Sequence, residues 1–110
     1  MGRQRLGELE LLVMLAVLQL DEDEAHTLGI LRAIHVRTGR PLERAAVYIT
    51  LQRLEKKGLV ASWLANPRPE RGGKRRRHVR LLPEGLEKVR ETRNALLNMW
   101  SGLESALEGS

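Results

Sequence analysis

Between Arg68 and Arg80 stand seven basic residues, Arg68, Arg71, Lys74, Arg75, Arg76, Arg77 and Arg80, opposed only by Glu70. The segment nets +6 in a 110-residue chain whose total is +5, so the remainder nets −1. A positive excess confined to one short stretch suits contact with a polyanion better than general solubility does. A solvated charge run is the alternative, but this stretch follows turn residues and ends in an apolar alternation, as a strand would.

Other chemistry is poorly provided for. Cysteine is absent, which removes disulfides, thiolate metal sites and thiol nucleophiles. His26, His35 and His78 fall in three different elements, and no serine elbow or paired-carboxylate motif accompanies them. Gly72, Gly73 and Lys74 lack the spacing and the hydroxyl residue of a nucleotide-binding loop. The carboxylates of Asp21, Glu22, Asp23 and Glu24 stand just before a helical pattern, where they are expected to cap it; a calcium loop would need ligands at alternate positions around a glycine. Neither enzyme, metal site nor cofactor is expected.

These residues must be positioned by a small fold. A chain of 12.5 kDa with 42% hydrophobic and 30% charged residues forms one modest core, and association with a second copy would support it. The apolar run Leu11–Leu18 is too short to span a bilayer, and no signal peptide is read at the N-terminus, so a soluble, cytoplasmic protein is expected.

The stretch from Leu6 to Leu20 has good helix formers and apolar residues on nearly every side, which predicts a helix buried all round. A second helix is predicted from Ala25 to about Arg37, ended by Thr38 and Gly39, and a third over 43–57, ended by Gly58. Leu59–Leu64 and Arg75–Leu82 read as two strands of a hairpin around the Pro- and Gly-rich turn 66–73. Pro83 then opens a last helix predicted to run to about Leu107, with Leu86, Val89, Leu96, Trp100, Leu103 and Leu107 in near-heptad spacing and Arg93 completing the series. At about 1.5 Å per residue such a helix extends roughly 37 Å, more than this core can cover, so its far half needs a partner.

The order predicts a mainly α (α+β) winged helix-turn-helix with a two-stranded β-hairpin wing and a long C-terminal dimerisation helix. Residues 1–82 would form the DNA-binding domain and 83–110 the dimerisation helix, the dimer surface taking Leu12 with Leu86, Val89, Leu96, Trp100, Leu103 and Leu107. On the third helix, Val47, Leu51 and Leu54 make the apolar stripe, and the opposite side carries Ala45, Ile49, Gln52, Arg53 and Lys56, flanked by Arg44 and Tyr48. Such a helix fits a major groove: Gln52 suits an adenine edge and Arg44 a guanine edge, while Arg53 and Lys56 suit phosphate or base. Lys74, Arg75 and Arg76, beside two glycines, are expected to grip phosphates from the wing 66–77; alternation puts Arg77 with Val79 and Leu81 instead.

The segments LGELELLVMLAVLQL, AAVYITLQRLEKKGLV, PERGGKRRRHVRL and PEGLEKVR resemble PadR-family transcriptional regulators, in order, over about residues 6–105. Val47, Tyr48, Leu51, Leu54, Glu55, Gly58 and Leu59 carry the most specific part of the resemblance. It implies a bacterial repressor, homodimeric through its C-terminal helix and bound to double-stranded DNA at an inverted repeat, with Tyr48 at the DNA surface. The chain departs from the family at Glu43, Arg44 and Ala45, at His26 and Thr27, and at His78 and Val79. Short members of this type bind flat hydrophobic compounds between paired tryptophans. Trp100, with Arg93 beside it, is therefore either plain dimer packing or an effector site. Besides the repressor, two readings stay open: a hydrophobic-effector sensor around Trp100, and a winged-helix interaction adaptor without operator specificity.

Overall fold

The computed structural model describes residues 6–67 and 75–109. Helix α1 (Glu8–Gln19) begins where Gly7 N–H donates to Glu10 Oε1 at 2.8 Å, satisfying one free amide of the first turn. A short 3-10 turn, Glu22–Glu24, leads to α2 (Thr27–Thr38), and α3 (Arg44–Lys56) follows. Strands β1 (Val60–Leu64) and β2 (Arg77–Leu81) pair antiparallel, with Val60 opposite Leu81 and Leu64 opposite Arg77. The chain closes with α4 (Pro83–Trp100) and a short α5 (Glu104–Glu108). A single antiparallel bridge from His26 to His78, with Val79 N–H donating to Ala25 O at 2.9 Å, adds the entry of α2 to the edge of the hairpin. The architecture is a winged helix with a hairpin wing, as the order of elements predicts.

The core lies where α1, α2 and α3 meet the base of the hairpin. Val13 and Met14 of α1, Ile30 of α2, Val47 and Leu54 of α3 and Val60 of β1 are fully buried. The predicted stripe on α3 is the buried one, joined by Thr50, whose hydroxyl donates to Ala46 O within the helix. Gly85, near the start of α4, is set by contact: a Cβ there would stand 2.1 Å from Leu59 O, so only glycine lets α4 approach the end of α3 this closely. Gly85 and Val89 are both buried, which makes the first turns of α4 part of the core.

Within one chain, Val13, Met14, Ala16 and Val17 of α1 face the core, while Leu15 and Leu18 are exposed, because one chain has elements enough to cover only one of its sides. Two expectations need correction. The acidic block does not cap α2. Its residues form their own 3-10 turn, and the cap is His26, whose Nδ1 accepts from Gly29 N–H at 3.2 Å, so α2 starts at Thr27. The last helix does not reach Leu107. It stops at Trp100, where Ser101 turns extended and Gly102 takes a φ of +90°, a backbone conformation that breaks the helical ladder. Its 18 residues give a rod of roughly 27 Å.

Glu10, only 8% exposed, takes Lys57 Nζ at 2.7 Å and thereby joins α1 to the end of α3. Burial alone would raise its pKa. The hydrogen bonds from Lys57 and from Gly7 N–H, with the charges of Lys57 and Arg53, outweigh that and hold it below its usual value of 4.5. A depressed folded-state pKa means that Glu10 contributes stability above its unfolded value and loses it as pH falls through the lower folded one. Glu10→Gln is expected to cost about 1–3 kcal/mol at neutral pH, and its deficit relative to the parent to shrink on acidification below about pH 4.5, measured by urea unfolding across pH.

Candidate nucleic-acid interface

Burying Val47, Leu51 and Leu54 turns the other side of α3 outward. Arg44, Ala45, Gln52, Arg53 and Lys56 are all exposed, and Tyr48 and Ile49 are open to 49% and 47%. Gln52 Nε2 lies 3.4 Å from Tyr48 Oη, so the two polar tips share one spot of the surface. Toward the C-terminal end, Arg53 and Lys56 border an open groove of about 820 Å³ shared with Lys57, Lys88 and the carboxylates Glu84, Glu87 and Glu91 of α4. The basic pair therefore sits in a mixed-charge setting.

The wing lies beside this face. Arg75 Nε donates to Ala65 O at 3.0 Å, which leaves most of its guanidinium N–H groups outward. Arg76 is half-buried, its NH1 2.7 Å from His26 Nε2, so it is drawn toward the body of the domain rather than fully presented. Lys74, expected at the wing tip, lies outside the described residues. Arg77 is exposed and donates from NH1 to Ser62 Oγ at 3.2 Å. Ser62 in turn donates to Glu55 Oε1 at 3.0 Å, a link between wing and α3 not expected from the sequence. Strand alternation offers its one available signal, since it places Arg77 on the side that Val79 turns to the domain.

The histidines assigned to separate elements are partly brought together. The rings of His26 and His78 meet edge to face at 5.6 Å, and Trp63 lies 5.9 Å from His78 on the other side. His78 Nδ1 is 2.8 Å from Glu22 O, a carbonyl that can only accept, so this nitrogen carries a proton. The pair thus fastens the wing to the entry of α2. Among the described residues no three His, Asp or Glu side chains are grouped to hold a metal ion, and no helix is long and apolar enough to cross a membrane.

A second surface lies between α1 and α4. Leu11, Leu15 and Leu18 of α1 and Leu86, Val89, Leu96, Leu97 and Trp100 of α4 line a largely apolar groove of about 500 Å³, together with Arg90 and Arg93. Trp100 is 53% exposed there. Arg93 donates to Asn94 Oδ1 at 3.1–3.2 Å, and Glu91 pairs with Lys88 within the same chain. Leu12 is partly buried against the core, and Leu11 lines this groove. Leu103 and Leu107 are exposed beyond the break in the helix, on a direction of chain different from that of α4.

Among solved structures, the chain is similar to a PadR-family transcriptional regulator from Eggerthella lenta DSM 2243, with 31% identity and a TM-score of 0.68, covering 94% of this chain and 88% of that one. A PadR-family transcription regulator from Clostridium difficile R20291 has 21% identity and a TM-score of 0.75, over 92% of this chain and 99% of its own. A PadR-like transcriptional regulator from Bacillus cereus ATCC 14579 has 18% identity and a TM-score of 0.73, over 93% of each chain. No family model and no curated protein matches the chain.

Proposed function

The chain belongs to the PadR family of transcriptional regulators, and from that premise we propose that it is a homodimeric, sequence-specific DNA-binding repressor that acts in the cytoplasm on an inverted-repeat operator and carries out no catalysis. The observation that carries this reading is the outward face of α3, with Tyr48 and Gln52 side by side and a basic wing next to it. A helix presenting such side chains reads base edges in a major groove, while cations beside it neutralise phosphates. In this reading Arg44, Ile49 and Gln52 meet bases, Tyr48, Arg53 and Lys56 meet phosphate or groove edge, and Lys74, Arg75 and Arg76 hold the backbone from the wing.

Dimerisation is supported by the apolar face of α1 and α4. A second copy placed on it would bury Leu15, Leu18, Leu96, Leu97 and Trp100, side chains that one chain leaves in water. A two-fold dimer presents two reading helices, which is why its operator is expected to be palindromic. A hydrophobic effector is the second reading for the same surface, favoured by the half-exposed indole of Trp100 inside an apolar groove. An effector that prefers a dimer with the wrong spacing of reading helices would release DNA by differential affinity.

Random-site selection with the purified protein at near-physiological salt is expected to enrich a palindrome. A folded dimer that enriches none would instead support the adaptor reading. On the selected duplex, Arg75→Gln is expected to weaken binding to all sequences and to flatten the salt dependence by about one ion, whereas Gln52→Ala shifts the preferred base at one position. Both are read by fluorescence anisotropy over a salt series. For the effector reading, planar dyes are expected to quench tryptophan emission in Trp63→Ala but not in Trp100→Ala; equal quenching in both would place the dye elsewhere.

A further inference from the structure

We propose that Glu55 and Ser62 are positioning residues that hold the Arg77 guanidinium at the junction of wing and α3, so that Arg77 engages a DNA phosphate and sets the angle of the wing to the reading helix. The proposal rests on the DNA-binding reading above. Its basis is a directed chain of hydrogen bonds. Ser62 has one hydroxyl hydrogen, which goes to Glu55 Oε1 at 3.0 Å, so its lone pairs are left to accept from Arg77 NH1 at 3.2 Å. Glu55 belongs to α3 and both other residues to the hairpin, so the chain crosses the seam between wing and reading helix.

These side chains border a notch of about 240 Å³ whose other walls include Thr27, Tyr48 and Gln52. The notch opens on the same face as the reading residues, and a guanidinium anchored by one donor keeps the rest of its donors for an oxyanion. The presence of Glu55 is informative because its charge is unfavourable twice over. It stands in the last turn and a half of α3, where the helix end is already negative, and on a face meant for a polyanion. Accepting from Ser62, and through it orienting Arg77, is the role that the geometry offers for an acid at this place.

Charge and position predict opposite signs, which makes the test sharp. If Glu55 acts only through its charge, Glu55→Ala removes a repulsion and tightens binding, and Ser62→Ala changes nothing. If the chain positions Arg77, both substitutions weaken binding to the selected palindrome, each about three- to tenfold, and Ser62→Thr restores most of the loss. Arg77→Gln lowers the salt slope by about one ion, and adding Ser62→Ala to it brings no further loss, since serine acts through the arginine. All of these sites are at the surface, and circular-dichroism melts confirm that each variant is folded before its affinity is compared. Tighter or unchanged binding by Glu55→Ala, or a serine effect that persists without Arg77, overturns the proposal while leaving the DNA-binding reading standing. A parent protein that binds neither the selected nor a scrambled duplex overturns both.

Discussion

The carbonyl of Leu59 accepts Leu82 N–H at 2.9 Å, and the absent side chain of Gly85 leaves room for the same carbonyl against α4. At this point the end of α3, the base of both strands and the start of α4 converge, with Met14 of α1 in contact from below. Leu59 N–H is itself tied to Leu54 O at 3.0 Å, so the turn that leaves α3 is held from both sides. Any larger residue at position 85 would push α4 away, and with it the wing, whose second strand runs straight into that helix. The relative placement of reading helix, wing and apolar face therefore depends on one close backbone approach. Elsewhere the core tolerates the usual exchanges among aliphatic side chains, but here there is no rotamer to adjust.

Around that junction, charge is distributed by function. Lys57 is half-buried and paired with Glu10, which strengthens the seat of α1 on α3, while the neighbouring Arg53 and Lys56 stay exposed. Two arginines of the wing are not loose side chains either. Arg75 and Arg77 each donate once to the body of the protein, on Ala65 O and on Ser62 Oγ respectively. Anchoring one donor of a guanidinium reduces the entropy lost when the remaining donors meet a phosphate. The cationic surface is thus partly organised before any DNA arrives.

The apolar side of the molecule follows from the same economy of size. Helices α2 and α3 and the hairpin suffice to enclose one face of α1, and the remaining leucines have only α4 to lean on. The break after Trp100 matters here because it ends the apolar stripe within reach of α1 and leaves Leu103 and Leu107 free to follow another course. A dimer built on α1 and the far half of α4 can then be compact, without a long projecting coiled coil.

Periodicity along single elements is a local property, and it suffices for the buried stripe of α3, the exposed face opposite it, the hairpin and the start of α4 at Pro83. Motif spacing likewise suffices for the family. Features that need two distant positions at once are decided only by packing. Glu10 meets Lys57 across 47 residues, and His26, rather than the acidic block just before it, caps α2 because its ring is held there by the wing. Near-heptad spacing continues through Leu107 although the helix does not, because side-chain period carries no record of backbone dihedral; the Ser101–Gly102 dipeptide is the only local sign of the turn. Hydrophobic pattern tells that a residue is to be covered but not by what. Leu12 packs partly against the core and Leu11 lines the groove beside α4, one position and about 100° apart, and only the arrangement of the other helices decides which neighbour each meets.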